Sequence, residues 1–164
     1  MTAATYKNMD LKIPGHYKTG VLNGDDLIFF YYDICLDNLQ GWPLAYDWET
    51  VVNEFNGLAD IASCDKTDIP KQLVDNQIRF TVSQEKNSDN GSKSCAFFRH
   101  LRNAFAHYSV TRQGEWYFIT DYSGTEKSMY GKIKASLLKE FCFRFFDIRE
   151  KIINDMENAT NPTI

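Results

Sequence analysis

A chain of 164 residues with 43% hydrophobic content is long enough for one domain with a real core and too short for two comfortable ones. Its four cysteines, Cys35, Cys64, Cys95 and Cys142, stand far apart with no C-x-x-C pair, which argues against structural zinc and a disulfide-stapled secreted fold and fits reduced thiols in a cytoplasm. The net charge of −4 speaks against a general nucleic-acid coating protein, and no run approaches the roughly 18 apolar residues of a membrane helix, so no membrane partner is expected.

In chain order, residues 1–23 read as an irregular arm with turn signals at Pro14-Gly15 and Asn23-Gly24. Asp25 and Asp26 favour a helix start, and Ile28, Phe29, Tyr32, Cys35, Leu36 and Leu39 keep helical register. Gly41-Trp42-Pro43 breaks the chain. Asp47 is a good cap for a second helix carrying Trp48, Val51, Val52, Phe55, Leu58, Ala59 and Ala62 on one side. Asp68-Ile69-Pro70 then opens a third helix through Leu73, Gln77, Phe80 and Val82. The polar stretch from Gln84 to Ser94 reads as a loop, with Ser92 or Ser94 capping the central helix.

The stretch Cys95 to Ser109, CAFFRHLRNAFAHYS, is the centre of the sequence. At a helical pitch of about 100° per residue, Phe97, Phe98, Leu101, Ala104, Phe105 and Tyr108 form a buried stripe, and Arg99, His100, Arg102, Asn103 and His107 lie opposite with Ala96 and Ala106 between them. From Asn90 to Gly114 there is no Asp or Glu, while Lys93, Arg99, Arg102 and Arg112 supply positive charge. Arg102 and His107 point about 140° apart around the helix axis and lie about 7.5 Å apart along it, so a second copy of the helix across a two-fold axis would complete a groove between them. After Tyr108 the period changes. Val110 to Tyr122 reads as a short hairpin about Gln113-Gly114, and Ser123-Gly124 marks another turn before a third short strand or a loop at Met129 to Lys132. A long helix from Lys134 to about Glu157 carries a seam of Leu138, Phe141, Phe145, Ile148, Ile152 and Met156, and residues 158–164 form a frayed polar tail.

The run Arg102-Asn103-Ala104-Phe105-Ala106-His107 resembles the Arg-polar-x-x-x-His signature of the HEPN superfamily, small all-helical proteins many of which are metal-independent ribonucleases of toxin–antitoxin, CRISPR and anti-phage systems. The resemblance implies a mainly all-α fold, a HEPN-like bundle of about five helices with a small β-hairpin before the last one, spanning residues 1–164 as one domain. It implies a homodimer with a composite site in which Arg102 and His107 are the catalytic pair and Asn103 assists them. An antitoxin protein would be a partner, and here Ser109 stands where some members carry the tyrosine that such a partner modifies.

The chemistry of these residues is consistent with that implication. No glycine-rich phosphate loop and no G-x-S-x-G elbow is present, and the histidines lack metal-ligand spacing, so neither cofactor nor metal is expected. Imidazole and guanidinium suffice for RNA cleavage by the 2′-hydroxyl: histidine ordinarily titrates near pH 6.5 and exchanges the proton, and arginine stabilises charge on the phosphorane. Arg99, His100 and Arg112 would then track the RNA backbone. The alternative is a catalytically silent module of the same kind that dimerises or binds nucleotide, RNA or protein through this face.

Overall fold

In the computed structural model, which describes residues 47–83, 89 and 91–160, Asp47 caps the first helix as its sequence suggests. The carboxylate accepts from the Thr50 amide and hydroxyl, each at 2.9 Å, and α1 spans Trp48–Glu54. The helix does not run on to Ala62. Phe55 closes it, Gly57 turns the chain at φ 81°, and Asp60–Ser63 becomes strand β1.

The third helix expected from Asp68 is also absent. Lys66–Asp68 forms one 3₁₀ turn, and Gln77–Phe80 is strand β2, in which Ile78 and Phe80 are buried while Gln77 and Arg79 face the other way. Leu73, Gln77 and Phe80 have helical spacing, yet a four-residue strand with two inward side chains satisfies the same pattern. The central helix α2 is Lys93–Ala106, capped by the Ser92 hydroxyl on the Cys95 amide at 3.2 Å. The hairpin about Gly114 follows as β3 (Val110–Gln113) and β4 (Trp116–Ser123). The segment around Met129 is a full strand, β5 (Glu126–Lys134), and the last helix α3 runs Ala135–Thr160, through residues expected to fray.

The strands form one sheet in the order β1-β2-β5-β4-β3, with β1 and β2 parallel and the other neighbours antiparallel. The all-α bundle is therefore corrected: the described chain is a mixed α/β fold with its helices on one face of a five-stranded sheet. What made the bundle look sufficient was the local amphipathicity of each segment, since the β1–β2 and β2–β5 pairings are long-range and leave no local signature. The helix Leu27–Leu39 and the arm 1–23 lie outside the described residues. Among those residues no helix is long and apolar enough to cross a membrane.

Phe55, Phe80, Phe97, Phe105, Phe141, Ile78, Ile119 and Leu101 join one core between helices and sheet. Rings lock it: Phe55 lies edge-on to Phe97 at 5.7 Å, and Phe80 tilts against Phe97 at 5.5 Å. Gly131 permits the closest approach within the sheet. A Cβ there would stand 2.9 Å from Cγ1 of buried Ile78 on the neighbouring strand. Gly131→Ala is expected to destabilise the fold by about 1–3 kcal/mol through overpacking, read as a lower urea midpoint at unchanged slope; an unchanged midpoint would show that Ile78 has room to move.

Candidate functional site

α2 carries two chemically different sets of polar residues. On its sheet-facing flank, His100 is only 1% exposed. Its Nδ1 lies 2.7 Å from Oδ2 of buried Asp121 on β4, and its Nε2 faces the Thr81 carbonyl at 2.8 Å and the Arg99 guanidinium at 3.1 Å. Asp121 collects further donors: Asn103 Nδ2 and Ser128 Oγ reach Oδ2 at 3.4 Å, and the Tyr122 amide donates to Oδ1 at 3.0 Å. A β-bulge at Asp121/Tyr122 turns Ser128 inward to this cluster.

Arg99 grips fully buried Asp89 through two contacts, at 2.5 and 2.7 Å, and Asp89 also accepts from the Ser83 amide at 2.8 Å. Burial alone would raise the Asp89 carboxyl, but the Arg99 and Ser83 hydrogen bonds outweigh it and hold the group below the usual carboxylate range. A polar cavity of about 530 Å³ opens over the cluster, lined in part by Cys64, Lys66, Asn103 and Tyr122. Burial pushes the Cys64 thiol up, which works against a thiolate nucleophile there. Nor do Ser128, His100 and Asp121 form a serine triad. Ser128 Oγ meets the same imidazole nitrogen as Asp121, at 3.4 Å, while the opposite nitrogen is taken up by Thr81 and Arg99. Among the described residues no group of three His, Cys, Asp or Glu is placed to hold a metal ion.

The second set sits toward the C-terminal end of α2. His107 is the capping residue and is exposed, and Arg102 is half-buried. Neither the Arg102 guanidinium nor the His107 imidazole makes a hydrogen bond or ion pair with a described residue. The helix ends in a Schellman motif: the Ser109 amide donates to the Ala104 carbonyl at 2.8 Å and the Tyr108 amide to the Phe105 carbonyl at 3.2 Å. The left-handed position in that motif, normally glycine, is Tyr108, at φ 55° and 78% exposed. A bulky side chain at this φ is a backbone outlier.

The structure thus divides the residues singled out in the sequence. Arg99 and His100, expected to follow an RNA backbone, are committed to a buried network, and Asn103 is tied to it through Asp121. Arg102 and His107 meet no such partner among the described residues. Arg112 is exposed on edge strand β3, its Nε donating to the Gly114 carbonyl at 3.2 Å and its guanidinium 5.8 Å from the Tyr117 ring centre. Ala96, expected to ease the approach of a second copy, is in the core, whereas Tyr108 leaves the apolar stripe for solvent. Sequence reasoning missed Asp121 and Asp89. An acid inside the apolar run Trp116 to Tyr122 was the available signal for the first, because a carboxylate among strand residues is rarely buried unpaired. Comparison with protein-family models, with curated proteins and with solved structures finds no match.

Proposed function

We propose that this protein cleaves RNA without a metal ion, using Arg102 and His107 at the exit of α2. The observation that carries the reading is a division among the polar residues of this helix: the two named by the Arg-Asn-x-x-x-His resemblance have no structural partner among the described residues, while their neighbours do. The reading rests on these residues and not on a helical bundle. Strain at Tyr108, directly after His107, supports it, since an exposed bulky residue in the left-handed region costs stability that a glycine would spare.

In the reaction the 2′-oxygen bonds to phosphorus as the bond from phosphorus to the 5′-oxygen breaks. His107 accepts the 2′-hydroxyl proton, and the departing 5′-oxygen takes a proton from an imidazolium, either the same one or that of a second copy. Arg102 offsets the charge on the non-bridging oxygens. Asn103, held by Asp121, fixes the helix face beside them. Products are a 2′,3′-cyclic phosphate and a 5′-hydroxyl, and DNA is spared. A homodimer placing two α2 exits together would complete the cleft, and toxin–antitoxin or anti-phage biology would suit such an activity.

The test is incubation of the purified protein with single-stranded RNA in EDTA, with end-group analysis of the products. Cleavage should occur, and His107→Ala and Arg102→Ala should each reduce it by at least about 100-fold while leaving thermal unfolding nearly unchanged. Binding without cleavage would favour the silent binding module. Cleavage that survives both substitutions would refute the assignment.

A further inference from the structure

The face of the sheet turned away from the described helices has a composition that neither the core nor the α2 exit explains. Strand alternation and cross-strand register place Trp116, Phe118 and Thr120 of β4 on it, opposite Lys134, Lys132 and Tyr130 of β5, with Gln77 and Arg79 of β2 beyond them. Past the bulge, Tyr122 pairs with Lys127 and is 51% exposed. Trp116, Phe118 and Tyr130 are half-buried and take no part in the core cluster, which gathers on the opposite face around Tyr117, Ile119, Met129 and Ile133.

Cations are interleaved with the rings. The Lys127 ammonium lies 3.6 Å from the Tyr130 ring centre and the Lys132 ammonium 4.2 Å from that of Trp116, while Phe118 and Tyr130 stand 6.3 Å apart, tilted by 32°. Two acids answer this charge. Asp60 holds Arg79 at 2.6 Å and Asp75 holds Lys132 at 2.9 Å, and both acids are exposed. Ion pairs with an exposed carboxylate contribute little, while Arg79 Nη1 also donates to the Asp60 and Ile78 carbonyls at 2.9 and 3.0 Å. Lys127 makes no ion pair with a described residue.

From this juxtaposition we infer that the outer sheet face binds single-stranded nucleic acid, with unpaired bases stacking on Phe118, Tyr130 and Trp116 and with Lys127, Lys132 and Arg79 contacting phosphates. Bases offer flat faces to rings only when unpaired, and a polyanion is the occupant whose charge fits cations set between those rings. A protein partner would be better served by a continuous apolar patch. Lysines poised over rings are positioned to swing to phosphate as a base takes their place. The site is separate from the proposed cleavage at α2 and requires none of its reacting groups.

The test is fluorescence anisotropy with labelled oligouridylate, oligothymidylate and a DNA duplex of equal length, on the full chain at two salt concentrations. Both single strands should bind at least tenfold more tightly than the duplex, with affinity falling as salt rises. Phe118→Leu and Tyr130→Leu, which keep apolar bulk but remove the ring, should each weaken binding about tenfold or more, while Phe118→Tyr and Tyr130→Phe retain it. Lys127→Glu, confirmed folded by circular dichroism, should weaken binding and flatten the salt dependence. Equal affinity for duplex, or unchanged affinity in folded Phe118→Leu and Lys127→Glu, would overturn the site. A preference for uridylate would point to RNA as the natural strand, and equal binding to either. Oligothymidylate has no 2′-hydroxyl to cleave, so binding to it is read independently of any nuclease activity; cleavage that persists while this face binds nothing would remove the platform and leave the α2 assignment standing.

Discussion

Asp121→Ala is expected to cost about 3–5 kcal/mol of folding stability, because it strands the buried His100 ring and withdraws the acceptor shared by Asn103 and Ser128. Asp121 is what joins α2 to β4 and β5 through polar contacts, so its loss should loosen the helix on the sheet as well as lower the urea midpoint. Asp121→Asn keeps the volume and one acceptor oxygen and should cost less than the alanine change. The cost of Asp121→Ala combined with His100→Ala should fall well short of the sum of the two, since each single change damages the same contact. A loss below about 1 kcal/mol in Asp121→Ala would mean that water satisfies the cluster through the cavity above it.

That network also explains how far the sequence could be read. Local signals were legible: Asp47 as a cap, Ser92 as one of two candidate caps, Gly114 as the hairpin turn, and the apolar stripe of α2 from Phe97 to Phe105 appear where side-chain chemistry and periodicity put them. The strands β1 and β2 were not. Ile61 and Ile78 acquire their environment from partners distant in the chain, and neither four-residue strand is long enough to show a period. The polar flank of α2 failed as a guide for a related reason. Hydropathy treats Arg99, His100, Arg102, Asn103 and His107 alike as solvent-facing, whereas burial depends on whether a carboxylate waits on the neighbouring element. Asp89 and Asp121 wait for Arg99 and His100; none of the described residues does so for Arg102 or His107.

If the proposed cleavage holds, one helix serves two tasks with residues of the same types. The contacts of Arg99, His100 and Asn103 fix the rotation of α2 about its axis, and that rotation decides where the side chains of its last turn point. A reacting pair at a helix exit needs such support, because displacement by about 1 Å can cost two orders of magnitude in rate. Changes at Arg99 or Asp121 should therefore reduce RNA cleavage without altering the product ends, the mark of misplacement as opposed to loss of a reacting group.

Arg99→Ala is expected to be about as damaging at neutral pH, again about 3–5 kcal/mol, because it leaves the Asp89 carboxylate fully buried without its cation. The pH dependence identifies the cause. In the wild-type protein the Asp89 carboxyl is held below its ordinary value of about 3.9. The pair therefore contributes its full stability above that pH and loses it as pH falls through the lower folded value. Without the guanidinium, burial acts on Asp89 with only the Ser83 amide and the nearby His100 to oppose it, so the carboxyl takes up its proton at higher pH. The acid limb of the stability profile should then move upward in pH for Arg99→Ala. Pairing Arg99→Met with Asp89→Leu removes both charges and should recover much of the loss, as buried ion pairs often exchange for apolar groups at little net cost. Urea unfolding from pH 3 to 7 would decide the matter: an acid limb in Arg99→Ala that superimposes on the wild-type curve would show that Asp89 is stabilised by something other than Arg99.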